Sequence, residues 1–394
     1  MSAADRNRKL YIASQFLYAM VFTIPIWIVY YKARITISQI SLLVALQYSI
    51  QLLCELPTGA IADLFGRKWS VALGYLGWVI ASIMILLAHG FPMLILATIF
   101  GGLAESLISG ALEALVYDSY KEEGREKEFS KALATNGIYF QFGLAIGTVG
   151  GGLLYQIWTG LPYLLYAGCC FLAAILALLF IEPKQEHQPI TLKRYKNQMR
   201  DGFREIFKNR TVTLISLFYV TVAGITWTNN LYFFDFMLVD LGFTGPERGV
   251  IGAIIRIFNV TVLRALLNNE KLFTRERSIL FFPIVMLICF LPGIFFQGVL
   301  ALLFVAGSVM TGTARWIVLA KYTNEGFESK YRATAISSLS MLVGLVYVII
   351  TFSSGFIMEH FGGVRTMYTV LGIITAVTVL PISLFLIKHE RKML

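Results

Sequence analysis

Twelve apolar runs, each about the length of a bilayer crossing, leave this chain few folds to choose from. They lie at roughly 10–31, 37–58, 69–89, 92–117, 132–157, 161–181, 211–236, 248–267, 278–296, 298–320, 333–357 and 366–387. About 20 consecutive apolar residues cross the hydrocarbon core as an α-helix. Within that core every backbone N–H and C=O must be satisfied by protein, which admits helices and closed barrels only. The runs are continuous rather than alternating, so the expectation is an all-α polytopic membrane protein with 12 transmembrane helices. Composition agrees: 14% of the 394 residues are charged, against about a quarter in a soluble domain, and mean hydropathy is +0.71.

A net charge of +10 raises the question of nucleic acid, and its placement answers it. Taking the runs as alternating crossings, 26 of the 33 Lys and Arg fall in the termini and loops of one side. The other side carries four (Lys32, Arg34, Arg248 and Arg365), and Arg256, Arg264 and Arg315 lie inside runs. Cytoplasmic loops collect Lys and Arg, so both termini are expected in the cytoplasm of a cell-membrane protein. The basic excess is topology, and no nucleic-acid partner is expected. Arg6, Arg8 and Lys9 precede a run too long for a signal-peptide core, which stays as the first spanning helix. Cys54, Cys169, Cys170 and Cys289 all lie in apolar runs and read as packing residues. No CxxC or paired-His spacing marks a metal site, and no nucleophile elbow or P-loop marks an enzyme or a cofactor.

Polar residues inside the runs are the functional candidates, because an ionisable group at membrane depth is costly and by default functional. Gln47, Gln51 and Glu55 share one face of the second run, read either as cavity-facing or as interhelical hydrogen bonding. Glu105 falls near mid-depth of the fourth run, with Glu113 and Asp118 nearer the cytoplasm. It is a candidate for proton or substrate handling, or one half of a static pair. Trp227, Asn230 and Asp235 mark the seventh run, with Asp235 near its outer end, where a helix-end role competes. Arg256 lies near mid-depth of the eighth run and Arg315 in the inner part of the tenth, so Arg256 and Glu105 are placed at similar depth. Pro25 predicts a kink in the first run. Between the sixth and seventh runs, Leu192, Tyr195, Met199, Phe203 and Ile206 recur at helical steps among basic residues. That pattern predicts an amphipathic helix on the anionic inner leaflet.

The halves echo each other. Glu123-Gly124 and then Lys131-Ala132-Leu133-Ala134 open the fifth run; Glu325-Gly326 and then Arg332-Ala333-Thr334-Ala335 open the eleventh, about 200 residues on. Two pseudo-symmetric six-helix bundles are expected at 1–181 and 211–394, joined by a linker at 182–210.

The turn Gly59-Ala60-Ile61-Ala62-Asp63-Leu64-Phe65-Gly66-Arg67-Lys68 resembles the G-x-x-x-D-R-x-G-R-K loop of the major facilitator superfamily, with Leu64 in place of the first basic residue. Gly143, Gly147, Gly151 and Gly152 resemble that family's antiporter signature in the fifth helix, with Thr148 where the proline stands; small-residue packing alone gives similar glycines. The family's arginine in the fourth helix has no counterpart, Thr98 standing there. The resemblance covers essentially the whole chain and implies the major facilitator fold and rocker-switch transport. It implies a cytoplasmic gate in which Asp63 meets the Arg332 entry of the eleventh helix and Arg67 pairs with Asp118, beside Gly59, Gly66 and Lys68. The expected function is secondary active transport of a small molecule, foremost proton-coupled efflux, by a monomer in the bilayer. Metabolite uptake or exchange, or lipid translocation, with Arg256 binding an anion, is the alternative; a channel fits two repeats less well.

Overall fold

The structure is a computed structural model that describes residues 2–183, 192–267 and 274–391. Among these residues it is helical and contains no strand. Each of the twelve runs falls on helix, and nine helical spans among the described residues are long and apolar enough to cross a membrane. The chain forms two compact units, one of Met1–Ile190 with Thr244–Ala253, the other of Thr191–Phe243 with Ile254–Leu394.

The first unit holds α1 (Ala3–Ala19), α2 (Trp27–Lys32), α3 (Ile37–Phe65), α4 (Arg67–Leu87), α5 (Phe91–Ile108), α6 (Ala111–Glu122), α7 (Glu126–Ile157) and α8 (Leu161–Leu178). Local signals set several ends. Thr36 and Gln39 form a reciprocal capping box at the start of α3. Ser109 and Gly110 interrupt the fourth run between α5 and α6, and Gly110 adopts φ +75, open to glycine at no steric cost. Buried polar groups tie together the helix ends near the N-terminus. Asn7, fully buried, donates to Ser119 Oγ at 2.7 Å and to the Ile181 carbonyl at 2.8 Å, and accepts from the Ile181 N–H at 2.9 Å. A buried amide must find such partners or lose about 1–3 kcal/mol.

Pro25 does more than kink the first run: α1 stops at Ala19, and the chain is irregular until Trp27. Unpaired backbone in an apolar run must be met by protein. Arg248, which the sequence places in a loop, begins the helix α12 (Gly245–Leu267) and is buried; its Nε donates to the Pro25 carbonyl at 2.7 Å. The glycines of α7 receive the rest of the break. A Cβ on Gly143 would lie 2.5 Å from the Phe16 carbonyl oxygen, and one on Gly151 would lie 1.8 Å from that of Phe22. Gly147 meets Met20 and Val21 in the same way, and Gly152 meets Gly245 and Pro246. The stripe is therefore the seat of a broken helix.

The second unit holds α9 (Leu192–Ile206), α10 (Arg210–Thr228), α11 (Phe234–Asp240), most of α12, α13 (Arg275–Phe290), α14 (Ala301–Glu325), α15 (Arg332–His360), α16 (Gly363–Ile374) and α17 (Leu380–Arg391). Five-residue π turns, Asn229–Phe233 and Thr375–Val379, interrupt the seventh and twelfth runs. The helix α9 differs from the expected surface-lying linker. A Cβ on its Gly202 would lie 2.3 Å from Ser338 Oγ and 2.7 Å from the Thr334 carbonyl, so α9 packs closely on α15. Its buried Glu205 accepts from the Glu328 N–H at 2.7 Å and from Lys208 at 2.6 Å. Part of the apolar face assigned to lipid is thus taken up by protein, and Ile206 is buried.

Candidate functional site

Glu105 lies half-buried on α5, with surroundings supplied by three other helices. Its Oε2 accepts a short hydrogen bond from the Tyr18 hydroxyl of α1 and one of 3.2 Å from the Trp78 indole of α4. Four rings stand together here. The Tyr18 centroid is 5.5 Å from Tyr75, 6.5 Å from Trp78 and 6.4 Å from Tyr166 of α8. Gln15 extends the network by donating to the Tyr75 hydroxyl at 3.1 Å. The Tyr18 and Trp78 donors to the carboxylate are both neutral. Amphipathic rings with polar tips suit this use, since their bodies satisfy the apolar surroundings and their tips the acid. Tyr18, Tyr75, Trp78 and Tyr166 escape the sequence reading because each, alone in an apolar run, reads as packing. Arg256, placed at similar depth by the sequence, has its side chain outside the described residues.

Of the second-run candidates, Gln47 and Gln51 are half-buried on α3, and Glu55 is exposed. The Gln47 amide nitrogen lies 3.6 Å from where a Cβ on Gly101 of α5 would be. Glu55 lines a cavity of about 310 Å³ with Thr58, Gly59, Arg67, Ser109 and Gly110, at the interruption of the fourth run.

The charged turn is tighter than its ten residues suggest. Gly59 and Asp63 belong to α3, Arg67 and Lys68 begin α4, and Gly66 alone separates the helices, at φ +99. Arg67 forms an ion pair with Asp118 of α6. Glu182, at the start of the expected linker, accepts the Arg67 N–H at 2.7 Å and the Lys68 N–H at 3.0 Å. A carboxylate on the first amides of a helix meets both orphan donors and the positive end of the dipole. Only the pairing of this acid with a helix start far back in sequence identifies it. Lys68 lies 5.8 Å from the Trp69 ring. The Asp63 side chain is outside the described residues. Arg332 opens α15 in the second unit and is exposed, 3.5 Å from the Phe327 carbonyl.

In the second unit the structure brings Trp227 and Arg315 together. Arg315 is 2% exposed, with its guanidinium 5.9 Å from the Trp227 ring and 6.0 Å from the Tyr219 ring. Trp227 also lies 5.9 Å from Tyr347 of α15. At the π turn, the Asn230 amide donates to the Val309 carbonyl at 3.3 Å, and Asn229 donates to Ser308 Oγ at 3.0 Å. A π turn widens the helix and turns these amides onto α14. Asp235 follows in α11, half-buried. Among the described residues no group of His, Cys, Asp and Glu is arranged to hold a metal ion.

The family model of the Major Facilitator Superfamily matches residues 10–323. The chain is 27% identical over 264 residues to the MFS-type transporter YxaM of Bacillus subtilis (strain 168), covering 64% of this chain and 63% of the relative. It is 25% identical over 214 residues to Multidrug resistance protein 1 of the same organism, covering 52% of this chain and 53% of the relative. Both matches span less than two thirds of those relatives' length. The crystal structure of the nucleoside transporter NupG superposes with a TM-score of 0.75 over 98% of this chain and 100% of that chain, at 12% identity, a likeness of fold alone.

Proposed function

The chain belongs to the Major Facilitator Superfamily, whose members are multi-pass membrane transporters, and on that premise we propose proton-coupled efflux of a small organic molecule by rocker-switch alternating access. The observation that carries the reading is Glu105, a carboxylate within a membrane span held by the tips of Tyr18 and Trp78. A coupling ion has to alter the balance between two conformations, because a ligand that binds both equally shifts nothing. Glu105 changes charge when it takes a proton, and its two donors then lose their charged acceptor. The surrounding rings suit an apolar or aromatic cargo. Similarity to Multidrug resistance protein 1 supports outward transport.

The gate of this reading is the Asp63 turn at the inner mouth, with both termini in the cytoplasm and the protein in the cell membrane as a monomer. The Arg67–Asp118 pair and the Glu182 carboxylate fix the start of α4, which supports a gating role for the turn that carries Asp63. Asp63→Asn raises the inward-open population, read as a shift in double-label distances. The direct test of coupling is substrate-driven proton flux in proteoliposomes, which Glu105→Gln lowers about 100-fold; flux equal to the parent overturns the assignment.

Uptake or exchange of an anionic metabolite, or lipid translocation, is the second reading, with Arg315 and Arg256 as the cationic groups. It is supported by the burial of Arg315 between Tyr219 and Trp227. Drug sensitivity on deletion favours the first reading, and loss of growth on one nutrient favours the second.

A further inference from the structure

We propose that the groove between α1 and α7 binds an anionic phospholipid from the leaflet on the side where these two helices begin. The groove encloses about 570 Å³ and is lined by Arg8, Lys9, Ile12 and Phe16 of α1 and by Thr135 and Tyr139 of α7. Arg8, Ile12 and Phe16 recur at steps of four, so one face of α1 presents a cation and then, over about 12 Å, two apolar side chains. The face of α7 continues the pattern. Tyr139, Phe142 and Ile146, again at helical steps, are 48%, 61% and 47% exposed. Charge sits at the end where the helices enter the membrane, and exposed apolar surface runs inward from it, which is the polarity of a lipid.

Exposed apolar residues alone are ordinary in a spanning helix. The headgroup end is what makes this a site. The Nε of Arg8 is buried and has no hydrogen-bond partner among the described residues. A guanidinium beside an ammonium matches a phosphate oxygen pair plus a second contact, and Thr135 and Tyr139 line the same groove. A zwitterionic headgroup brings its own cation to this place, where two cations already stand; a phosphatidylglycerol headgroup does not. The lipid is a bound partner rather than cargo, so the site stands or falls by binding, independently of the transport reading.

The test is retention of lipid by the purified full-length chain, read by native mass spectrometry with phosphatidylglycerol, phosphatidylcholine and inorganic phosphate as probes. Phosphatidylglycerol is retained, and neither of the others displaces it. Each basic residue near an anionic headgroup contributes enough that Lys9→Gln weakens retention about fivefold, and Arg8→Gln combined with Lys9→Gln about thirtyfold. Arg200→Gln, an exposed cation on α9 in the second unit, changes nothing. Displacement by inorganic phosphate, equal retention of phosphatidylcholine, or parent-like retention in Lys9→Gln each overturns the proposal. Lys9 is exposed, so its single variant decides the matter if the double variant does not fold.

Discussion

Glu105 in the first unit and Arg315 in the second are both ionisable groups set among apolar helices, and both are surrounded by aromatic rings, but they meet the rings differently. The carboxylate is met by ring tips, the Tyr18 hydroxyl and the Trp78 indole N–H. The guanidinium is met by the face of Trp227 and by Tyr219, with which it also shares a side-chain hydrogen bond. Tips give directed hydrogen bonds whose strength depends on the acid staying ionised. Faces give a cation–π attraction that needs no particular proton, and a guanidinium does not deprotonate in a protein. The first unit therefore holds a charge that can be switched, and the second a charge that is permanent. Under the proposed function, the coupling step is assigned to the first and a fixed attraction for cargo to the second.

The largest expected effect sets these two against each other. Glu105→Gln keeps the size and one acceptor but cannot ionise, and coupled proton flux falls about 100-fold, the lower range for a lost proton-transfer group. Arg315→Met keeps proton coupling and alters only affinity for cargo. A variant pair behaving the other way round, measured in the same proteoliposomes, breaks the comparison. Next come the rings. Tyr18→Phe and Trp78→Phe each remove one hydrogen bond to a charged group, about 1.5–3 kcal/mol, so each lowers flux roughly tenfold or more. Trp227→Leu removes a ring face instead and costs thermal stability, up to about 2 kcal/mol of cation–π attraction, with the flux ratio unchanged.

Much of this was open to sequence reading, and the rest was hidden for identifiable reasons. Apolar runs of spanning length fix the helices because hydrocarbon leaves the backbone no other partner. The interruption in the first run was signalled by Pro25, but its extent was not, since that depends on Arg248 and the α7 glycines, more than 100 residues away. The π turn at Asn229 has no proline and left no comparable mark. Glu105 stood out as a charge at membrane depth, whereas Tyr18 and Trp78 resemble any aromatic residue of an apolar run until a fold brings their tips to one oxygen. Glu182 lies 115 residues from the helix it caps, a separation no local spacing reveals.

A third measurement asks whether donors hold carboxylates in the same way outside the apolar core. Gly66 at φ +99 and ψ 140 occupies backbone space suited to glycine, so Gly66→Ala costs about 1–3 kcal/mol. Glu182→Gln leaves the backbone alone and weakens only the cap on Arg67 and Lys68, costing about 1 kcal/mol. Thermal unfolding ranks the two. A larger loss for Glu182→Gln would mean that the carboxylate, rather than the turn, sets the start of α4.

The smallest effect compares the water-facing clasps of the two units. In the first, Arg125 reaches Asp5 at 3.3 Å, Glu123 at 2.9 Å and Glu128 at 2.8 Å. The Arg125 guanidinium holds the Asp5 and Glu128 carboxyls below their usual range, and the Ala4 N–H does the same first for Glu123, with Ser2 and Arg125 adding to it. In the second, burial works to raise the Glu205 carboxyl, but the Lys208 ammonium and the Glu328 N–H outweigh it, and the net direction is down. Every one of these groups binds its proton less readily folded than unfolded. Their contribution is therefore complete above about pH 4.3 and fades as pH falls through the lower folded values. Unfolding followed from about pH 7 to about pH 3 should lose part of its slope in Arg125→Gln and a separate part in Glu205→Gln. Salt separates the two. At about 1 M the screening length is roughly 3 Å, so the Arg125 part, with its side chain 31% exposed, is suppressed more than the part from Glu205, only 5% exposed; equal loss of both would erase the distinction between the clasps.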